Sequence, residues 1–344
     1  MKQLSIWEYL QRLLLTLLVV SLFVILLMVA WAIVDALILL FIGVVTAVIL
    51  RTLAKPIARY TPLNIKAAIL IVILLLLVLL ALGGWLFVPE IVNQTEALVT
   101  QVNQAIIQLE QFLLQYNWGQ DLLETIFRQD PTQLPFQDLF PRVTDTFSLT
   151  VETLTNFFFI LFIGLFLAWN PELYRSGIIR LIPPMGRKRA REVIDAIIEG
   201  LRGWLLGQFI SMCTIGLVVG VGLSILGIPL AFLLGIISGV LEFVPILGPI
   251  VSSIPGILIA FTLGFTNTIY VTLFYLVVQQ IEGNLLTPIV QRHTVDLPPA
   301  LTLTVIFIMG LLFGPFAIFI ATPLAATFLI LIKMVYLEDV LKSR

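Results

Sequence analysis

The sequence predicts an all-α polytopic membrane protein with about eight transmembrane helices, and three observations lead to this prediction. Apolar residues make up 60% of the 344 residues and charged residues only 11%, whereas a soluble domain carries about 25% charged residues. The mean hydropathy is +1.11. Charge-free runs recur along the chain, and several of them exceed the roughly 20 apolar residues that cross a hydrocarbon core.

The lengths of these runs give the helices in order. Four runs suit one helix each, and three runs of 36 to 39 residues near the C-terminal end must fold back on themselves. Asp35 is predicted to lie in a loop between the first two helices. We predict eight helices, near residues 13–33, 36–50, 67–88, 153–170, 204–226, 229–262, 267–286 and 299–334. The sixth and the eighth are predicted to be broken.

Basic residues predict the orientation of these helices. Residues 51–66 carry four bases and no acid, residues 170–203 carry seven bases, and the intervening 90–152 carries nine acids against two bases. Since lysine and arginine favour the cytoplasmic side, we expect both basic segments and both termini to be cytoplasmic. The predicted organisation is membrane helices over 1–89, an extracytoplasmic helical segment over 90–152, a fourth membrane helix with an interfacial helix over 153–203, and a transport core over 204–344.

Two amphipathic stretches flank the membrane helices. In the acidic segment, apolar residues recur at steps of three, four and seven, which predicts a helix with one apolar stripe. This stripe either packs on its own chain or forms a contact between subunits. It consists of Ile91, Leu98, Val102, Ala105, Leu109, Phe112 and Tyr116. Residues 186–205 combine a basic cluster with apolar spacing, which predicts a helix at the cytoplasmic interface near anionic head groups.

The sixth helix contains an unusual density of helix breakers. Residues 241–259 read LEFVPILGPIVSSIPGILI and contain Pro245, Pro249 and Pro255, with Gly248 between the first two. Each proline removes a backbone donor and disfavours helix for the residue before it. We therefore expect a re-entrant helical hairpin or a strongly unwound span. Freed backbone groups in such a break can bind a polar solute.

The eighth helix repeats this feature. Gly314 and Pro315 follow Gly248 and Pro249 by 66 positions, and Pro323 follows Pro255 by 68. Two similarly broken segments in corresponding places predict a substrate site at a repeat interface. The alternative is that these are independent structural kinks.

Two glutamates interrupt otherwise charge-free sequence, and both are candidate site residues. Glu242 adjoins the first break, while Glu282 shares a predicted helix face with Gln279 and precedes Asn284 and Pro288. A carboxylate at membrane depth is costly unless it faces a cavity or a partner. These residues therefore form a proton, cation or solute site, or else they lie at helix ends among the head groups. The single histidine, His293, is either a proton shuttle or a surface residue.

The sequence lacks the signatures of the common enzyme classes. It contains no GxxxxGK[ST] loop and no GxSxG elbow, and its single histidine and single cysteine rule out an HExxH motif and a cysteine zinc cluster. A net charge of −1 and the absence of a nucleic-acid module argue against nucleic-acid binding. We therefore predict a protein that is not an enzyme and has no cofactor or metal.

Three segments resemble a known family of bacterial membrane proteins. EFVPILGPIVSSIPG, QQIEGNLLTPIV and GLLFGPFAIFIATPLAA look like the autoinducer-2 exporter family, also called PerM-like permeases. The resemblance covers essentially the whole chain. It implies a multi-pass secondary transporter of the bacterial inner membrane with eight helices and two re-entrant hairpins. It also implies a homo-oligomer, such as a pentamer, and a role in quorum sensing.

The function predicted on this basis is alternating-access transport of a small polar solute such as autoinducer-2, with Na⁺ or H⁺ as a possible coupling ion. The alternatives are a sodium (lithium)/proton antiporter and a channel or scaffold protein. The residues predicted to line the transport path or to bind solute or ion are Glu242, Pro245, Gly248, Pro249, Ser252, Ser253, Pro255, Gln279, Glu282, Asn284, Pro288, Gly310, Gly314, Thr322 and Pro323.

Overall fold

The structure, a computed structural model, describes residues 6–116, 151–286, 288 and 297–341, and these residues are almost entirely helical. They contain no strand, which confirms the all-α prediction. The helices are α1 (Ile6–Tyr60), α2 (Ile65–Leu113), α3 (Val151–Trp169), α4 (Pro171–Arg180), α5 (Arg187–Ile225), α6 (Ala231–Leu241), α7 (Leu247–Thr262), α8 (Phe265–Ile281), α9 (Pro299–Phe313) and α10 (Pro315–Leu331). A 3-10 turn (Pro184–Gly186) precedes α5, and π-helical segments (Glu282–Leu286 and Ile332–Leu341) follow α8 and α10.

The helices have the length and apolarity of a multi-pass membrane protein. Within the described residues, five helices can cross a membrane, and a bent pair formed by α3 and α4 makes a sixth crossing if it is counted as one span. Shorter apolar helices, among them α6, α7 and α9, lie beside these spans. Because a helix of 11 to 16 residues is about 17–24 Å long, these three are too short to cross a core of ~30 Å alone.

The predicted loop at Asp35 is wrong. Residues 6–60 form one continuous helix of 55 residues, about 82 Å long, and Asp35 is an exposed residue within it. The reason is that one aspartate does not interrupt a helix, whereas the neighbouring sequence has no proline and no glycine before Gly43. The two helices predicted over 13–33 and 36–50 are therefore one helix. The prediction of a cytoplasmic N terminus assumed two crossings before the first basic segment, and this assumption no longer holds.

The third predicted helix and the amphipathic helix after it are also continuous. They form the 49-residue α2, with Pro89 inside it. The predicted stripe packs on its own chain: Leu98 and Val102 are buried in the core that α5, α6, α7 and α8 also build. The Phe112 ring meets the Phe261 ring of α7 edge-on at 5.9 Å. This stripe therefore ties the distal half of α2 to the C-terminal half of the chain.

A sharp bend separates α3 from α4, whereas α5 continues through the predicted interfacial helix without a break. The bend between the two helices is 86°, at the Asn170–Pro171 junction. Residues 186–205 do not form a separate helix. Instead, 187–225 is one helix of 39 residues, since no proline interrupts it.

Close backbone contact between α5 and α6 organises the C-terminal half. A Cβ atom built on Gly235 of α6 would lie 2.7 Å from the carbonyl oxygen of Gly216 and 2.7 Å from Cα of Gly220 on α5. A Cβ on Gly239 would lie 3.0 Å from Cα of Gly216. Small residues spaced by four allow such an approach, as in membrane helix pairs generally. The order of these contacts makes α6 antiparallel to α5.

Two helical hairpins approach each other from opposite ends of α5. The first hairpin (α6 and α7, residues 231–262) starts near Gly220, and its apex, residues 242–246, reaches Gln208. The second hairpin (α9 and α10, residues 299–331) turns at Gly314, and its α10 arm ends where a Cβ on Gly200 would touch Ile330. Both helices predicted to be broken are therefore broken, and the apex of the first hairpin packs on the α10 arm of the second, with Val244 in the same cluster as Ile320.

We expect the α5–α6 crossing to tolerate no side chain. Gly235→Val should lower the free energy of unfolding by about 1–3 kcal/mol, because the overpacked side chain forces the backbones apart. Thermal unfolding in detergent, followed by size-exclusion chromatography, measures this loss.

Gly83→Val is the matched control, because a Cβ at Gly83 on α2 meets nothing within 4 Å. Equal melting temperatures for the two variants would contradict the proposed packing role.

Candidate functional site

The apex of the first hairpin satisfies its own backbone. After α6 ends, the amide of Glu242 donates to the carbonyl of Ser238 at 2.9 Å, and the amide of Val244 donates to that of Leu241 at 3.0 Å. The amide of Gly248 closes the turn on the carbonyl of Val244 at 2.9 Å. A Cβ on Gly248 would collide with the carbonyl of Leu241, so only glycine fits there. Ile246 adopts a positive backbone φ of 69° in the turn.

Helix α5 and the second hairpin hold this apex from the outside. The buried side-chain amide of Gln208 donates to the carbonyl oxygen of Glu242 at 2.5 Å. The Phe243 ring lies between Trp204 of α5, with ring centroids 5.5 Å apart, and Phe319 of α10, at 6.0 Å. The apex is thus the point at which the two hairpins and α5 join.

A small polar cavity lies behind the apex, between α5, the first hairpin and α8. Its volume is about 20 Å³. Since one water needs roughly 10–15 Å³ by this measure, it accommodates a single water or a bare small cation. The polar lining consists of Ser238, Glu242, Ser252, Tyr275, Gln279 and Glu282, and the rest is Ile215, Val219, Pro249 and Val278.

Two carboxyl groups meet in this cavity. The Glu242 residue is only 3% exposed, and its side chain lies close enough to that of Glu282, at the end of α8, to interact with it. Two neighbouring carboxylates repel each other, whereas a carboxyl that keeps its proton can donate a hydrogen bond to the other. The arrangement therefore favours a proton or a cation between the two groups.

Three further oxygen atoms in the cavity are buried without a hydrogen-bond partner within the part of the chain that the structure describes. They are Oε2 of Glu242, Oγ of Ser238 and the Tyr275 hydroxyl oxygen. Ser238 and Tyr275 face each other closely enough to interact, but their hydroxyls do not reach hydrogen-bonding geometry. A buried polar atom without a partner costs about 1–3 kcal/mol. Buried oxygen atoms without hydrogen-bond partners around a space of this size can therefore bind a proton, a water or a hard cation.

The structure brings together five of the residues that the sequence singled out. Glu242, Pro249, Ser252, Gln279 and Glu282 line the cavity. Pro245 and Gly248 lie at the apex next to it, where they shape the turn.

The other candidates lie elsewhere. Pro255 and Pro323 sit inside the continuous helices α7 and α10, so they do not interrupt the chain as expected. Ser253 bonds to its own helix through the carbonyl of Ile250, Asn284 bonds to Gln280, and Pro288 is exposed. The remaining three belong to the second hairpin: Gly310 under Ile318, Gly314 at the turn with a φ of 80°, and buried Thr322. His293 lies outside the described residues.

Ser238 and Tyr275 belong to the site but are missing from the sequence prediction. Ser238 lies one helical turn before Glu242, and Tyr275 lies one turn before Gln279 and two turns before Glu282. Helical periodicity from the two glutamates was therefore the signal that could have found them. A serine and a tyrosine in apolar helices are too common to stand out alone.

Together, the helices and hairpins define a polytopic membrane protein with an internal polar site, as in transporters that bind their cargo at discontinuous helices. The sequence model of the AI-2E family transporter matches residues 20–336. The chain therefore belongs to the AI-2E transporter family and is a multi-pass membrane protein of that class.

Several individual relatives are named as putative transport proteins. "Putative transport protein YrrI" of Bacillus subtilis (strain 168) is 26% identical over 165 residues, which are 48% of this chain and 47% of the relative. A "Putative transport protein" of Thermotoga maritima is 32% identical over 151 residues, 44% of this chain and 45% of the relative. "Putative transport protein YhhT" of Escherichia coli (strain K12) is 23% identical over 158 residues, 46% and 41% respectively. These matches span about half the length of each relative.

We expect Gln208 to hold the hairpin apex. Gln208→Leu should lower the free energy of unfolding by about 1–3 kcal/mol, because it leaves the buried carbonyl of Glu242 without its side-chain donor. The melting temperature of the purified protein in detergent measures this effect.

Gln104→Leu on α2 is the control, because Gln104 is exposed and surface changes usually stay within about 0.5 kcal/mol. A Gln208→Leu protein as stable as the control would show that the apex does not depend on this amide.

Proposed function

We propose that the chain is a secondary transporter that moves a small polar solute by alternating access, without ATP and without covalent chemistry. The observation that carries this proposal is the meeting of two hairpins, entering from opposite ends of α5, beside the buried Glu242 and its neighbour Glu282. A hairpin that enters from each side is suited to closing the path from that side. Discontinuous helices with polar groups at their breaks are where secondary transporters bind cargo and coupling ions.

The cargo proposed is a small polar solute such as autoinducer-2, and the family's description supports this choice. A role in quorum sensing follows from that cargo. The cavity of about 20 Å³ is too small for a solute of several heavy atoms. We therefore place the solute between the hairpins after they separate, with Ser252, Ser253 and Thr322 as hydroxyl partners and the carboxyl pair as the coupling site.

We propose the bacterial inner membrane as the location, with the basic end of the molecule in the cytoplasm. Arg51 donates to the carbonyl of Ala168 at 2.8 Å, and the Lys66 ammonium lies 5.6 Å from the centre of the Trp169 ring. These contacts support a common side for the two basic segments. The C-terminal helix lies at the same end of α5 as Arg189, which supports a cytoplasmic C terminus. A single crossing by α1 favours an N terminus on the other side. A homo-oligomer, such as a pentamer, remains an expectation from the family.

Counterflow in proteoliposomes tests the transporter proposal. Vesicles loaded with unlabelled solute should take up labelled solute transiently and with saturation, because a carrier exchanges cargo across one alternating site. The panel contains autoinducer-2 and small polar metabolites. Solute flux that is linear in concentration and unaffected by solute on the opposite side would instead indicate a channel.

A second function, cation/proton antiport, is favoured by one specific observation. The cavity has room for one small ion, and its polar lining presents two carboxyls, two serine hydroxyls, a tyrosine hydroxyl and an amide. Oxygen ligands of this kind suit hard cations. A proton shared by Glu242 and Glu282 and a sodium or lithium ion would compete for the same place, so that the arrival of one releases the other.

For this function we expect Glu242→Gln and Glu282→Gln each to lower sodium-dependent proton flux by about tenfold or more, which corresponds to ~1.4 kcal/mol or more of lost interaction. An amide cannot carry the exchanged proton. A pH-sensitive dye inside proteoliposomes measures the flux.

Glu199→Gln is the matched control, since Glu199 is an exposed carboxylate on α5 that pairs only with Arg202 at 3.5 Å among the described ion pairs, and such surface pairs contribute ~0–1 kcal/mol. Wild-type proton flux in both cavity variants would remove the antiport function while leaving solute counterflow to be judged separately.

A further inference from the structure

Helix α4 lies across the direction of the apolar helix α3 before it. The 86° bend after Trp169 turns the chain from the direction of α3 into one nearly perpendicular to it. Because α3 packs along the membrane-spanning part of α1, from Ile163 against Gly43 to Ala168 against Arg51, α4 runs roughly parallel to the membrane surface. Lys66, packed on Trp169 at the end of α3, marks this level as the basic end of the bundle.

The uncovered face of α4 is apolar, although a helix facing water would expose polar residues. Ile179 is buried, and Arg175 points to α5, where it pairs with Asp195. At 100° per residue, the exposed apolar residues cover an arc of about 140°. This apolar stripe consists of Leu173, Tyr174, Ile178 and Leu181.

The loop that follows extends the apolar stripe and adds positive charge at its edge. Leu181 is 86% exposed and Met185 is 99% exposed, the latter next to Arg187 and Lys188. Arg180 lies at the end of α4. In the described part of the chain, the ion pairs of this region involve Arg175, Arg189 and Arg202, and none of them includes Arg180, Arg187 or Lys188.

We propose that α4 and the 181–188 loop form a membrane-surface anchor that binds anionic phospholipid. The apolar stripe and Met185 enter the boundary between head groups and acyl chains, while Arg180, Arg187 and Lys188 contact lipid phosphates. In-plane amphipathic helices with basic edges bind membranes in this way, through apolar burial plus attraction to anionic lipids. The orientation of α4 in the plane and the three bases without a carboxylate favour lipid over a second protein chain.

The test places a probe at Met185 in nanodiscs. Met185→Cys in a Cys213→Ala background gives a single labelling position, because Cys213 is the only cysteine. An environment-sensitive fluorophore there should be quenched by nitroxide-bearing phospholipid rather than by aqueous iodide. The signal should strengthen as phosphatidylglycerol replaces phosphatidylcholine.

Variants separate the two contributions to binding. Arg180→Gln and Lys188→Gln should each weaken the response to phosphatidylglycerol about fivefold, as expected for one basic residue near an anionic surface. Leu181→Ser should reduce lipid quenching in both lipids. Arg59→Gln, which removes the same charge from the end of α1, should change neither measurement.

Three results would overturn the proposal. Quenching by iodide in place of nitroxide lipid would put the loop in water. Equal responses in the two lipids would remove the preference for anionic lipid. Protection from both quenchers that is lost on dilution to one chain per nanodisc would identify a second copy as the occupant of the apolar stripe.

Discussion

The structure of the C-terminal half depends on satisfying polar backbone at a break that lies among apolar side chains. Unpaired amides and carbonyls at membrane depth cost several kcal/mol each. The chain meets this requirement with short bonds inside the turn and with the single amide of Gln208. The turn can be this tight only because Gly248 has no side chain against the carbonyl of Leu241.

The two hairpins pack into different apolar clusters. The arms of the first hairpin are buried in a core built from α2, α5 and α8, including Leu234, Ile259 and Val271. The second hairpin packs on the apex and on α1 through a separate cluster that includes Ile306, Met309 and Ile320. Because the two clusters are distinct, the hairpins are held by separate sets of contacts and meet mainly at the apex. Its α10 arm continues into the segment that Arg189 holds through Glu338 and Asp339.

The sequence predicted where helices break better than it predicted where they continue. The hairpin turns at residues 242–246 and at Gly314 follow from proline and glycine chemistry, which acts locally and can be read from neighbouring residues. The joining of residues 13–50 into α1 and of 67–113 into α2 could not be predicted in this way. Asp35 and Pro89 resemble loop signals, yet each perturbs only one turn of a helix that is otherwise favourable. Likewise, Pro255 and Pro323 lie in helices that continue past them.

Part of the site could be predicted from the sequence, because its carboxyl groups interrupt apolar runs. Glu242 and Glu282 stand out because a carboxyl in an apolar run is rare and costly. Their meeting, however, depends on α8 returning beside α6, which no local pattern encodes. That return also fixes the size of the cavity, because Tyr275 packs against Gly256 and fills the space that a solute would need. Under the transport function proposed above, a site closed to this extent would bind a coupling ion before any solute enters, so that ion binding and separation of the hairpins would be two coupled but distinct events.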